Sequence, residues 1–183
     1  IKLCSALHNQ YGFDSICLMP TNLYGQGDNY HPTNSHVLPA MLHKFYNAKI
    51  EGHKKVVCWG TGTPKREFLY VDDLAEASIF VLENISKDNE VLYDFKKNFN
   101  GILNIGVGVD ISIKELANLI SCIVGYKGEI IWDSSKPDGT PRKLLDISKL
   151  NNMGWFAKTS LKKGIHLTLN NYIEELKNKS IRI

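Results

Sequence analysis

Three groups of side chains in this chain could do chemistry, and each lies in a loop. The first is His31 with His36, inside Leu18 to Pro39, LMPTNLYGQGDNYHPTNSHVLP. An imidazole gives or takes a proton near neutral pH. A histidine at the start of a helix also makes local hydrogen bonds, and spacing alone does not separate the two. The stretch holds three prolines, two glycines, three asparagines, two tyrosines and one formal charge, Asp28. Polar, stiffened loops between packed elements often carry function. The second group is Trp59 with Arg66. An indole offers a flat face and a guanidinium a two-pronged donor suited to phosphate oxygens; a core tryptophan and a surface arginine are the plain alternative. The third is Lys136-Pro137-Asp138-Gly139-Thr140-Pro141-Arg142-Lys143. Its cations suit phosphates and its carboxylate suits hydroxyls, which fits a sugar diphosphate, although a solvated charged loop reads alike in isolation. Three such loops, each following a strand, point to one cleft for an anionic ligand.

Several familiar devices are missing from the sequence. No GxGxxG phosphate loop occurs; Gly60-x-Gly62 and Gly106-x-Gly108 are two-glycine fragments that read as turns. GxSxG, HExxH and the P-loop are absent too, so the chain does not show a complete catalytic apparatus. A net charge of +3 favours an anionic ligand but falls short of a nucleic-acid patch. Cys4, Cys17, Cys58 and Cys122 are widely spaced with no CxxC pair, and read as reduced, packed thiols rather than disulfides or a metal site. No apolar run has membrane-spanning length and no stretch reads as a signal peptide, so a cytoplasmic protein is expected.

The elements that must position these loops follow from periodicity. Ile1, Leu3, Cys4 and Leu7 have helical spacing and Gly12 follows as a stop. An uncapped isoleucine gives no start signal, so the chain is expected to begin inside a longer helix. Strands are predicted at 15–19, 55–59, 66–71, 101–105 and 128–132, and helices at 36–47, 74–83, 112–124, 148–151 and 161–176. Asp72 or Asp73 is the expected N-cap of the helix 74–83, with Ala75, Ile79 and Leu82 facing inward. Ser112 and Glu115 form a capping box. Ser86 to Asn100 is polar and lysine-rich, and reads as a surface insertion. Short strands mixed with single helices indicate an α/β fold.

PTNLYG after an apolar strand, then NSHVLPAML, WGTGTPKREFLYVDDLA, LNIGVG and SKPDGTPRKLLD, resemble the extended short-chain dehydrogenase/reductases. The resemblance runs in register over nearly the whole chain, apart from Ser86 to Asn100. REFLYVDDLA marks the nucleotide-sugar enzymes of that superfamily generally. PTNLYG with HPTNSHVLPAML and DGTPRKLLD resembles more narrowly the branch that turns GDP-4-keto-6-deoxy-D-mannose into GDP-L-fucose. The implied fold is the last part of a Rossmann-type parallel sheet plus a smaller mixed α/β substrate-binding domain. Residues of about 1–24, 66–85 and 101–107 would belong to the incomplete Rossmann part, and about 25–65 and 108–170 to the other.

The resemblance also implies an activity: 3,5-epimerisation followed by NADPH-dependent reduction of the 4-ketone. NADP(H) is the implied cofactor and a GDP-sugar the substrate, with no nucleic-acid or membrane partner and a homodimer in the full-length form. By position, Pro20, Thr21, Asn22 and Leu23 would line NADP around its nicotinamide. His36 would be the acid in epimerisation and also lie near the cofactor. Lys44 would hold the substrate diphosphate, and Trp59 and Arg66 the GDP portion, with Arg66 on phosphate. Asp138 would accept from a substrate hydroxyl and Lys143 would add positive charge nearby. The glycine-rich loop, catalytic serine, base cysteine and YxxxK pair of that branch precede the segment matching Ile1. The chain is therefore expected to be the C-terminal half and inactive alone, with none of its cysteines serving as the base. Another nucleotide-sugar epimerase or dehydratase, or a non-catalytic nucleotide-sugar-binding module, are the competing readings.

Overall fold

The computed structural model describes residues 1–182. Helix α1 (Lys2–Tyr11) ends on Gly12, whose left-handed backbone (φ 64°) closes the last turn. Strand β1 (Cys17–Pro20) and the short β2 (Asn22–Tyr24) follow, and then a long loop into helix α2 (Val37–Ile50). Strands β3 (Lys55–Trp59) and β4 (Lys65–Tyr70) precede helix α3 (Val71–Asn84). After a 3₁₀ turn at Glu90–Leu92 come β5 (Ile102–Ile105), β6 (Asp110–Ser112) and helix α4 (Ile113–Val124). Strands β7 (Glu129–Asp133) and β8 (Arg142–Lys143), helix α5 (Ser148–Asn152) and helix α6 (Leu161–Asn178) complete the chain.

Pairing is mostly parallel, as an α/β fold requires. β1 pairs with β5, and β3 with β7. β4 is the organising strand. It lies parallel to β2 along one stretch, antiparallel to β6 along another, and parallel to β8 at its start, with Lys65 beside Arg142 and Arg66 beside Lys143. Its side chains divide between two cores, as the period of two dictates. Phe68 and Tyr70 join α2, α4 and α6 around Tyr24, Leu42, Phe45, Leu116 and Tyr172. Leu69 joins α3, β5 and α5 around Ala77, Leu103, Ile105 and Leu150.

Several expectations need correction. Strand β2 lies inside the segment read as loop, because three residues pair with β4 only through tertiary contact. β6 and β8, three and two residues long, were hidden in turns for the same reason. Helix α3 starts earlier, with Tyr70 as N-cap, so neither Asp72 nor Asp73 caps it. Its inward residues are Asp73, Ala77 and Val81, whereas Ala75 is exposed and Ile79 and Leu82 are 55% and 82% exposed. Both faces of this helix carry apolar residues, so periodicity alone could not choose between them. The segment 86–100 is more than surface: Leu92 and Phe99 are buried, and His8 stacks on Phe99 with ring centroids 3.5 Å apart. Cys122 is exposed rather than packed, and all four cysteines are free. The capping box is present: the Ser112 hydroxyl accepts from Glu115 N at 3.1 Å while the Glu115 carboxylate accepts from Ser112 N at 3.0 Å. No helix among the described residues is long and apolar enough to cross a membrane.

Candidate functional site

The last residue of β3 sets the site. Trp59 is 61% exposed, which excludes a core role for its indole. Lys44 comes from α2, and its Nζ donates to Val57 O at 2.8 Å. That bond holds the ammonium 6.0 Å from the Trp59 ring centre. Lys136, from the loop after β7, stands 5.8 Å from the same ring. Two cations therefore stand near one aromatic ring, within the range of cation–π attraction.

Arg66 lies on β4, half-buried. Its Nη1 donates to Lys65 O at 2.7 Å, which fixes the plane of the guanidinium. The loop bearing Asp138 reaches across to the turn after β3. There the Asp138 carboxylate accepts from Thr61 N and from the Thr61 hydroxyl, both at 2.7 Å. Those two bonds hold its carboxyl below the usual carboxylate range. The turn is tight: Gly62 has φ 75°, and a Cβ there would sit 2.8 Å from the Trp132 ring.

Two adjoining cavities connect these residues. One, of about 270 Å³, is lined by Ser35, Met41, Lys44, Cys58 and Trp59 among others. The next, of about 160 Å³, is lined by Pro64, Arg66, Pro137 and Asp138. They share Val37, Trp59 and Ile113. A cleft of about 520 Å³ at the far end of α2 is larger, but none of these residues lines it. Apolar walls with a few convergent polar groups mark a ligand site better than size does.

The structure thus brings together Lys44, Trp59, Arg66 and Asp138. Lys143 sits on β8 as the register partner of Arg66, exposed to solvent. His36 occupies the N-cap position of α2 with an exposed ring that makes no cap hydrogen bond. Its neighbours Ser35 and Val37 line the larger cavity, so His36 stands at the rim. His31 braces the loop instead: its Nδ1 accepts from Thr33 N at 3.1 Å and Asn34 N at 3.2 Å.

Pro20 to Leu23 form the turn from β1 into β2, at the carboxyl end of a parallel strand, where such sheets bind cofactors. Thr21 N donates to Ile105 O at 3.0 Å. The Thr21 hydroxyl and the Asn22 amide donate to Glu67 O at 3.2 and 2.7 Å. With those donors engaged inward, the turn leaves Pro20 exposed to solvent.

Sequence reading missed Thr61 and Glu67 as parts of this arrangement, whereas Lys136 lies in the third loop singled out there. Thr61 looked like turn filler in a Gly-Thr-Gly-Thr-Pro run, and its partner is Asp138, far along the chain. Glu67 looked like the polar face of an alternating strand but is fully buried. No group of His, Cys, Asp and Glu among the described residues could hold a metal ion.

Comparison with known proteins adds three findings. Residues 1–106 match the NAD dependent epimerase/dehydratase family. The GDP-L-fucose synthase of Escherichia coli is 49% identical over 174 residues, which is 95% of this chain and 53% of that protein. The chain spans about half the length of the curated relatives it matches. Among solved structures, a GDP-6-OMe-4-keto-L-xylo-heptose reductase from Campylobacter jejuni superposes with a TM-score of 0.87 at 36% identity, covering 95% of this chain and 58% of that one. A GDP-L-fucose synthetase from Naegleria fowleri bound to NADP gives 0.78 at 27% identity, covering 92% and 49%.

Proposed function

The chain belongs to the NAD dependent epimerase/dehydratase family, and from that membership we propose that it is the substrate-grasping part of an enzyme making GDP-L-fucose from GDP-4-keto-6-deoxy-D-mannose. The observation that carries this is the convergence of Lys44, Trp59, Arg66 and Asp138 on two adjoining cavities. A nucleoside diphosphate needs an aromatic face, a forked donor and further cations, and these residues supply them. Identity at 49% of 174 residues to a GDP-L-fucose synthase supports the choice of sugar.

The roles follow from placement. Trp59 gives the base or ribose a flat contact. Arg66 and Lys44 hold the diphosphate, the first as a fork and the second as a point charge. Asp138 fixes the loop over the pocket through Thr61 and keeps lone pairs for a sugar hydroxyl. Lys143, beside Arg66, adds positive charge. The 4-ketone acidifies the hydrogens on C3 and C5, so one acid and one base can invert both centres. His36, exposed at the rim, is the acid. NADP(H), held in part by Pro20 to Leu23 with His36 nearby, supplies the hydride that reduces the ketone. No residue of this chain is assigned the role of base or of proton donor in the hydride step.

The two cores correspond to two domains. The core around Leu69 is assigned to the cofactor domain and the one around Phe45 to the substrate domain, with Tyr24, Phe68 and Tyr70 crossing into the second and Leu150 into the first. We place the enzyme in the cytoplasm as a homodimer; Leu3 and Tyr11, left 70% and 71% exposed on α1, suit a subunit contact.

A 4-keto reductase without epimerisation is the second reading, favoured by the fold likeness to the heptose reductase. The test is to supply the full-length enzyme with GDP-4-keto-6-deoxymannose and NADPH in deuterated water. Fucose formation with deuterium at C3 and C5 is expected. Reduction without exchange would select the second reading, and a preference for UDP- or dTDP-sugars would reject both.

A further inference from the structure

Glu67 sits within β4 with 0% exposure. A carboxylate taken out of water is costly unless its oxygens find donors. Here Oε1 accepts from Val107 N at 2.6 Å and Gly108 N at 2.7 Å, and Oε2 accepts from Leu145 N at 3.1 Å. Its main-chain carbonyl accepts from Thr21 and Asn22 side chains at 3.2 and 2.7 Å. Gly106 makes room, since a Cβ there would collide with the carboxylate.

One residue therefore gathers three segments that are distant in sequence. The first is the turn from β1 into β2, which holds Thr21 and Asn22. The second is the turn after β5, which holds Val107 and Gly108. The third is Leu145, just past β8, which carries Arg142 and Lys143 beside β4. Its chain neighbour is Arg66. The bonds go to main-chain amides, which have fixed directions, so the carboxylate sets positions as well as satisfying charge.

We propose that Glu67 is a positioning residue, which keeps the diphosphate-holding strands β4 and β8 in register with the turn that faces the nicotinamide. The proposal rests on the GDP-sugar reading given above. Glu67→Gln separates positioning from mere support. Its carboxamide oxygen still accepts from Val107 and Gly108, but its NH₂ then faces Leu145 N–H, donor against donor. The main-chain carbonyl bonds to Thr21 and Asn22 are untouched. The substitution loosens the β8 arm and spares the cofactor arm.

The experiment is steady-state kinetics of the full-length enzyme with and without E67Q, beside amide hydrogen exchange by NMR. KM for the GDP-sugar is expected to rise on the order of tenfold, while KM for NADPH stays within about twofold. Exchange at the Leu145 amide accelerates while Val107 and Gly108 stay protected. A fall in kcat alone, with both KM values unchanged, reports fewer folded molecules and overturns the proposal, as does an equal rise in both KM values. Should E67Q fail to fold, L145P removes the Leu145 N–H alone and leaves the Val107 and Gly108 bonds in place, and the two KM values decide in the same way. Wild-type enzyme without turnover of the GDP-sugar overturns the substrate reading itself, whatever E67Q does.

Discussion

Removing Arg66 gives the sharpest test of the proposed diphosphate site. Nη1 is engaged by Lys65 O at 2.7 Å, which leaves the edge formed by Nε and Nη2 without a protein partner among the described residues. That edge can present two parallel N–H groups to a phosphate. Charge-assisted hydrogen bonds contribute about 1.5–3 kcal/mol each. Arg66 is only half-buried, so solvent screening places each bond at the lower end. Two bonds at about 1.5 kcal/mol make about 3 kcal/mol, or a rise in Kd on the order of 100-fold for Arg66→Ala. Arg66→Lys keeps a point charge but loses the fork, and should weaken binding roughly tenfold. The assay is titration with GDP, GMP and guanosine, read by quenching of the exposed Trp59. Guanosine lacks phosphate, so its affinity should be the same in all three proteins. Equal loss of GDP and guanosine binding in R66A, or no loss of either, would refute the placement of Arg66 on phosphate.

Three further outcomes are expected. His36→Gln in the full-length enzyme should suppress deuterium exchange into substrate C3 and C5 by roughly 10²–10⁴ while leaving NADPH affinity nearly unchanged; undiminished exchange removes His36 from the acid role. Asp73 is 3% exposed and accepts from Thr159 N and the Thr159 hydroxyl at 2.9 and 3.1 Å, tying α3 to the start of α6. Asp73→Ala should cost about 3 kcal/mol and lower Tm by roughly 6–12 °C, whereas the exposed Asp72→Ala should change it little. His43 is held below its ordinary 6.5 by burial. Asn47 donates to its Nε2 at 3.0 Å, so the proton sits on Nδ1, which donates to Tyr172 at 2.8 Å. A depressed folded value means the unfolded chain binds protons first as pH falls. This share of stability is complete above 6.5 and is lost as pH drops through the folded value, which denaturant midpoints against pH will show. His43→Gln should remove that slope.

What the sequence disclosed depended on range. The Ser112–Glu115 box and the Gly12 stop are local devices, and each is where periodicity placed it. The motif residues around Lys44, Trp59 and Arg66 were visible by type, but their meeting was not. Lys44 reaches Trp59 because its ammonium is pinned on Val57 O, a contact between a helix and a strand. Asp138 and Thr61 meet across two loops, which no spacing rule foretells. Glu67 was the hardest to see. A glutamate between arginine and phenylalanine in an alternating strand looks solvated, and only the fold brings three amides to it. The face of α3 was misread because propensity supports both faces, and the second core chose between them.

Strand β4 has a mechanical meaning beyond its register. Phe68 and Tyr70 are rooted in one core and Leu69 in the other, with β2 beside them. A hinge between the two cores would have to tear side chains of adjacent residues from opposite sides of a single strand. The two cores are therefore coupled through one strand, like the two faces of a plate. The Thr61–Asp138 contact, exposed and made of two hydrogen bonds, ties the turn after β3 to the loop after β7 from outside that plate.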